Sequence, residues 1–314
     1  MAPLTRLPSA PLAETRSAET IAQHSTTGSD TMPRSSVLHL ILVILAGFIT
    51  VQGADSPADL IAQADMVYMS RTLEVSLSQA IALYEGVLPN LNTLPVQSQA
   101  HVLNRLSQLC YEATMFSEGD TSVDGTLFEK GKSYGLQSLR LNTQYAEAEN
   151  RNFDEALSYV TDAAALHWTA SNWGKLCGMN PIVGLMQQGG VLALFSQCVQ
   201  VNPKYWGGSA SSSLGSLLIM SPSALGGDRE AGLALVENSI TLDPSYLSNR
   251  MVLAEYWGFT YSFFGQLTGV RDAELIEREL AIVLESTDNT WPFWNNEAKK
   301  LAETLLARLR DLTD

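Results

Sequence analysis

The chain has 314 residues, enough for one large core or two ordinary ones, and 33 acidic against 19 basic side chains give it a formal charge of −14. Such a surface repels nucleic acid and anionic lipid headgroups, and no Lys/Arg cluster interrupts it, which excludes a nucleic-acid binder. Three cysteines (Cys110, Cys177, Cys198) are too few for a disulfide framework and none pairs as C-x-x-C, so one bridge and three free thiols are both open.

Residues 1–31 are polar, rich in Ser, Thr and Pro, and aperiodic; they read as a disordered or mis-assigned extension. From Val37 to Val51 runs VLHLILVILAGFITV, 15 mostly apolar residues with Arg34 before and the small pair Gly53–Ala54 after. That layout predicts a signal peptide over residues 32–53, cleaved near Gly53, with Met32 as the start of translation. An uncleaved inner-membrane anchor is the competing reading, but a spanning helix needs about 20 apolar residues and His39, Gly47 and Thr50 interrupt this run. No cysteine follows to carry a lipid. The expected product is a soluble periplasmic protein whose residues 54–314 form a single all-helical domain.

Beyond Asp55 there is no sustained two-residue alternation, whereas apolar spacings of three and four recur throughout. Ser56-Pro57-x-Asp59 predicts a helix start, with a hydroxyl cap, a proline at the first position and an acid two residues on. Further along, FSQCVQVNPKY (195–205) is nearly repeated by VENSITLDPSY (236–246), 41 residues later. Each copy reads as an amphipathic helix ended by Asn-Pro or Asp-Pro, since proline cannot continue the ladder and pushes its predecessor out of helical space. An aromatic then opens the next helix. AIALYEGVLPN (80–90) is a fainter copy. Helix, Asp-Pro-x-Tyr corner, helix is the unit of a tetratricopeptide-like array of about 34 residues; the loop SPSALGGD (221–228) absorbs the excess, with Asp228 as the next cap. The fold expected is all-α, a helical-hairpin array of tetratricopeptide-like repeats forming an α-α superhelix.

MVLAEYWGFTYSFFGQL (251–267) reads as a helix apolar on all sides, with Val252, Tyr256, Phe259 and Phe263 on one stripe. Such a helix is either ordinary core or the lining of an apolar cavity, and Trp168 and Trp173 can face the same space. Trp168, Trp173, Tyr256, Phe259 and Phe263 are therefore the candidate ligand-lining residues. Ala298 to Leu312 gives a last amphipathic helix. No nucleophile elbow, P-loop, dinucleotide fingerprint or metal-ligand spacing is present, so no catalytic residue, metal or cofactor is expected. Cys177 with His167 is the one nucleophilic pair left open, against the ordinary fate of a lone Cys or His on an apolar face, which is packing.

ALHWTASNWGKL (165–176), NPKYWGG (202–208) and GGDREAGLALVENSITLDPSYLSNRMVLAEYW (226–257) resemble the T component of tripartite ATP-independent periplasmic (TRAP) transporters, the TatT family, over roughly Ala58 to Leu309. The resemblance implies a non-enzymatic, all-helical periplasmic accessory protein, often a homo-oligomer such as a trimer. It also implies association with the solute-binding subunit of a TRAP transporter and an internal cavity for an apolar or organic-anion ligand. SASSS (209–213) departs from the family's pattern, as does the missing lipid-attachment cysteine. A cell-envelope scaffold with no ligand of its own is the alternative.

Overall fold

The structure is a computed structural model that describes residues 56–71, 74–117, 119–262 and 265–313. The expected extension and signal peptide lie outside these residues, as does Phe263. Side-chain caps set most helix starts. Ser56 and Asp59 close a reciprocal capping box on α1 (Pro57–Tyr68). After α2 (Glu74–Val87) and a 3₁₀ turn (Leu88–Thr93) comes α3 (Val96–Ala113). Asp120, Asn142, Asn152, Asp162 and Asn180 then cap α4 (Thr121–Leu139), α5 (Thr143–Ala148), α6 (Phe153–Ser158), α7 (Ala163–Met179) and α8 (Pro181–Val201).

A 3₁₀ kink (Tyr205–Gly208) leads into α9 (Ser209–Met220), and Asp228 caps α10 (Arg229–Leu242) as expected. The chain ends with α11 (Ser248–Val252), a π-helical turn (Leu253–Gly258), the antiparallel hairpin β1 (Phe259–Tyr261) and β2 (Leu267–Val270), α12 (Ala273–Glu285) and α13 (Pro292–Thr313). Successive elements pack on one another: α1 on α2, α2 on α3, α3 on α4, α4 on α7, α7 on α8, α8 on α9, α9 on α10 and α12 on α13. The result is an all-α array in which each hairpin covers its neighbour's apolar face, and the buried side chains are spread along it in several clusters.

The doubled sequence produces doubled geometry. Asn202 (φ −152, ψ 90) and Asp243 (φ −147, ψ 91) cap α8 and α10 in the same extended conformation. Each carboxyl or amide oxygen then accepts from the N–H two residues on, Lys204 and Ser245, turning the chain. After the first corner Trp206 (φ 50), Gly207 (φ 65) and Gly208 (φ 76) all adopt left-handed backbone, which tryptophan does not choose unaided. Asn249 Nδ2 holds the turn by donating to the Gly207 carbonyl at 2.7 Å. The serines of SASSS are consistent with this close packing: Ser211 and Ser212 are buried, and Ser212 donates to Asn249 at 2.9 Å.

A Cβ at Gly207 would lie 2.6 Å from Tyr246 Cβ and Cγ. Gly207→Ala therefore combines left-handed strain with overpacking and is expected to cost about 3 kcal/mol in urea denaturation. Gly226→Ala is the control, since that glycine (φ 85) has nothing within 4 Å of the added carbon; it should lose about 1 kcal/mol. Equal losses for the two would show that the contact with Tyr246 does not matter.

The expected helix over 251–267 is corrected. Only Ser248–Gly258 is helical, its last turn widened to π geometry, and the chain then becomes a β-hairpin. A tertiary contact and local preference act together: Gly258 sits so close to Ile276 that a Cβ would meet its Cγ1 at 2.3 Å, while the aromatic and β-branched residues that follow favour pleated backbone. Gly265 (φ 75) supplies the turn.

Candidate functional site

Seven aromatic residues converge from five places in the chain. Tyr111 comes from α3, Trp168 from α7, Trp206 from the left-handed kink, Tyr246 from the second corner, and Trp291, Phe293 and Trp294 from the start of α13. Trp168 stands at the centre, 5.1 Å from Trp206, 5.9 Å from Tyr111 and 6.2 Å from Trp294 between ring centroids. Trp291 lies 5.3 Å from Trp206 and 5.0 Å from Tyr246. Edge-to-face and offset contacts of this kind are each worth about 1 kcal/mol beyond simple burial. Polar handles are fixed too: the Trp168 indole donates to Tyr205 Oη at 3.0 Å and the Trp291 indole to Asp243 at 3.1 Å. Both aromatics of the repeated corners, Tyr205 and Tyr246, thus feed one assembly.

Two polar regions border the rings. On one side Glu112 is fully buried and pairs with Arg71 at 3.1 Å, while Gln108 donates to Glu112 and to Tyr68 Oη. Burial pushes the Glu112 carboxyl up and Arg71 pulls it back. Arg71 and Arg105 lie 4.1 and 3.8 Å from the Tyr68 ring centre. On the other side Lys175 of α7 reaches toward Tyr111, with Tyr256 and Glu255 of the π turn in electrostatic range. Glu255 also meets Arg308 at 3.8 Å. Tyr111, followed by Tyr256 and Glu255, holds the Lys175 ammonium above the ordinary lysine range, although the residue is exposed to solvent.

The sequence-predicted residues are distributed unevenly. Trp168 is the centre of the assembly and Tyr256 lies on the Lys175 side. Trp173, five residues on, points to another face of α7. It packs edge-on to Phe153, stacks under Lys132 at 4.6 Å and donates to Gln187 at 2.6 Å. Phe259 is 1 % exposed and belongs to the core formed with α11, α12 and α13. Sequence reading missed Tyr111, Trp206, Trp291 and Trp294. The WPFW run (291–294) and the tryptophan before the glycine pair were visible, but nothing local told which way their rings point.

Cys177 and His167 do not pair. Both are on α7, where burial raises the Cys177 thiol and lowers His167 to about 3, the reverse of an activated thiolate and its base. All three cysteines are free, and burial pushes the Cys110 and Cys198 thiols up to about 12. Among the described residues no group of three His, Cys, Asp or Glu side chains is placed to hold a metal ion.

No curated protein matches the chain. The family model described as TRAP transporter T-component matches residues 122–312, which include Trp168, Lys175, Trp206, Tyr246, Tyr256 and Trp294. That is more than half of the chain, which therefore belongs to the TRAP transporter T-component family and has an accessory role in a TRAP system at the cell envelope.

Proposed function

We propose that this is a non-enzymatic periplasmic accessory protein that docks the solute-binding subunit of its TRAP system. It would hold an apolar or organic-anion ligand in the interior bordered by Trp168, Tyr111 and Tyr256. The observation that supports this reading is the strained kink. Trp206 is kept at φ 50 beside two left-handed glycines so that its ring meets Trp168 and Trp291. Backbone held out of its preferred region persists where surrounding structure over-determines it, and such positions cluster at ligand sites. Aromatic walls with a few fixed polar groups are the ordinary make-up of a small-molecule pocket.

A second reading, a cell-envelope scaffold or self-associating protein, is favoured by the apolar start of α8. Ile182 is 73 % and Met186 84 % exposed there, and an exposed apolar patch marks a surface that other chains cover. Affinity capture from envelope extract with the immobilised chain from Ala54 onward separates the two. Near-stoichiometric recovery of a TRAP solute-binding subunit is the expected result. Recovery of other envelope machinery alone, or of further copies of this chain alone, would replace the adaptor with the scaffold.

A further inference from the structure

A groove opens between the end of α7, the start of α8 and the end of α9. Its free volume is about 220 Å³, half again the roughly 150 Å³ of an apolar cavity that takes up benzene. Gly174, Cys177 and Gly178 of α7 bound it, together with Leu185 of α8 and Leu217 and Met220 of α9. It is separate from the aromatic assembly around Trp168.

The space exists because a side chain is missing. A glycine inside a helix is disfavoured, and it is retained where the backbone is left-handed or where another element comes too close for a Cβ. Gly184 is of the second kind: a Cβ there would meet the Cys177 carbonyl oxygen at 2.4 Å, so this glycine lets α8 close against α7. Gly178 is of neither kind. Its backbone is not left-handed, and an added Cβ would find nothing within 4 Å. What Gly178 leaves at the groove is room.

The surroundings are uncharged. Residues 176–227, which supply α8, α9 and the loop that follows, contain a single charged side chain, Lys204, in a chain with 33 acids and 19 bases. Lys204 lies beyond the end of α8 and does not line the groove. A carboxylate or phosphate entering would lose its water with no cation to receive it. One polar corner is present: Gln188 Nε2 donates to Ser221 Oγ, which donates in turn to the Leu217 carbonyl at 2.7 Å. Both hydrogens are thereby committed, and among the described residues Gln188 Oε1 has no donor.

We propose that this groove binds a neutral, compact apolar molecule, about two fused rings in size, that carries one hydroxyl or N–H donor for Gln188. The glycines of α7 give its flat body a floor, and Leu185, Leu217 and Met220 cover its edges, Met220 adapting to its outline. The inference is independent of the interior-ligand reading, which concerns other residues.

The test is calorimetry on the full chain with 2-naphthol, neutral at neutral pH, and 2-naphthoate, its charged counterpart of nearly equal shape. Naphthol is expected to bind about tenfold or more tightly than naphthoate. Gly178→Leu places a side chain in the space and should weaken naphthol by about tenfold or more, with a urea midpoint at or above the parent's, since leucine favours helix over glycine. In the parent chain, saturating naphthol should also slow alkylation of Cys177 by N-ethylmaleimide severalfold, with the buried Cys110 and Cys198 as internal controls. The proposal is overturned if Gly178→Leu binds naphthol as the parent does, if naphthoate binds equally well, if bound naphthol leaves Cys177 alkylation unchanged, or if neither probe binds at millimolar concentration. In that last case, loss of self-association on Gly178→Leu, read by sedimentation, would give the groove to a second copy of the chain.

Discussion

Acidification from neutral pH to about pH 3 is expected to remove about 4 kcal/mol of stability through His167 alone. The imidazole is 3 % exposed and ringed by Trp168, Tyr205 and Phe195 at 4.7, 5.5 and 5.9 Å. Its Nε2 faces Ser209 Oγ at 3.3 Å. With no carboxylate to receive a charge, burial holds the pKa down at about 3, from an ordinary 6.5. The folded chain keeps the ring neutral through a range in which the unfolded chain protonates it. The contribution is therefore complete above the unfolded value, drains away as pH falls through the window, and is gone once both states are protonated.

Glu112 and Glu255, raised by burial, act in the opposite sense: their contribution is present at low pH and is lost as pH rises past the usual carboxylate range. The measurement is accordingly a difference. Urea midpoints of the parent and of His167→Phe are followed from pH 7 to pH 4, where the parent should lose about 3 kcal/mol more than the variant. Parallel curves would mean that His167 is charged or hydrated in the folded state.

Phe259→Ala should cost about 4 kcal/mol in urea denaturation and leave capture of the solute-binding subunit unchanged. Phe259 enters β1 at the point where the π turn ends, and its ring is enclosed by a cluster that includes Leu247, Met251, Ile276 and Leu280. Removing it opens a cavity that the hairpin cannot collapse into, because β1 is pinned to β2 by pairing of Phe259 with Val270 and Thr260 with Gly269. Trp168 lies in a separate cluster, so the loss should stay local. A loss below about 1 kcal/mol would put the ring in the ligand space instead.

Much of this molecule was legible in one dimension. Helix starts are written in single residues, and Ser56, Asp228 and their neighbours act on N–H groups two or three positions away, which is why they can be read without a fold. The repeated Asn-Pro and Asp-Pro corners were equally local, and their shared cap geometry followed from the sequence match. The 251–267 segment misled because periodicity alone does not separate a buried helix from buried strands. What ended the helix was Ile276 pressing on Gly258 across 18 positions.

The sequence by itself therefore determined the helical content, the caps, the corners and the family. Only the tertiary structure decided which aromatics meet. Trp168 and Trp173 are near neighbours in sequence, yet five residues turn a helix through about 140°, so one enters the assembly and the other packs on Phe153. Tyr111, Trp206 and Trp294 lie far apart along the chain and come together because stacked hairpins carry α3, the kink and α13 to one place. That convergence is set by packing between elements, which no pattern within an element encodes.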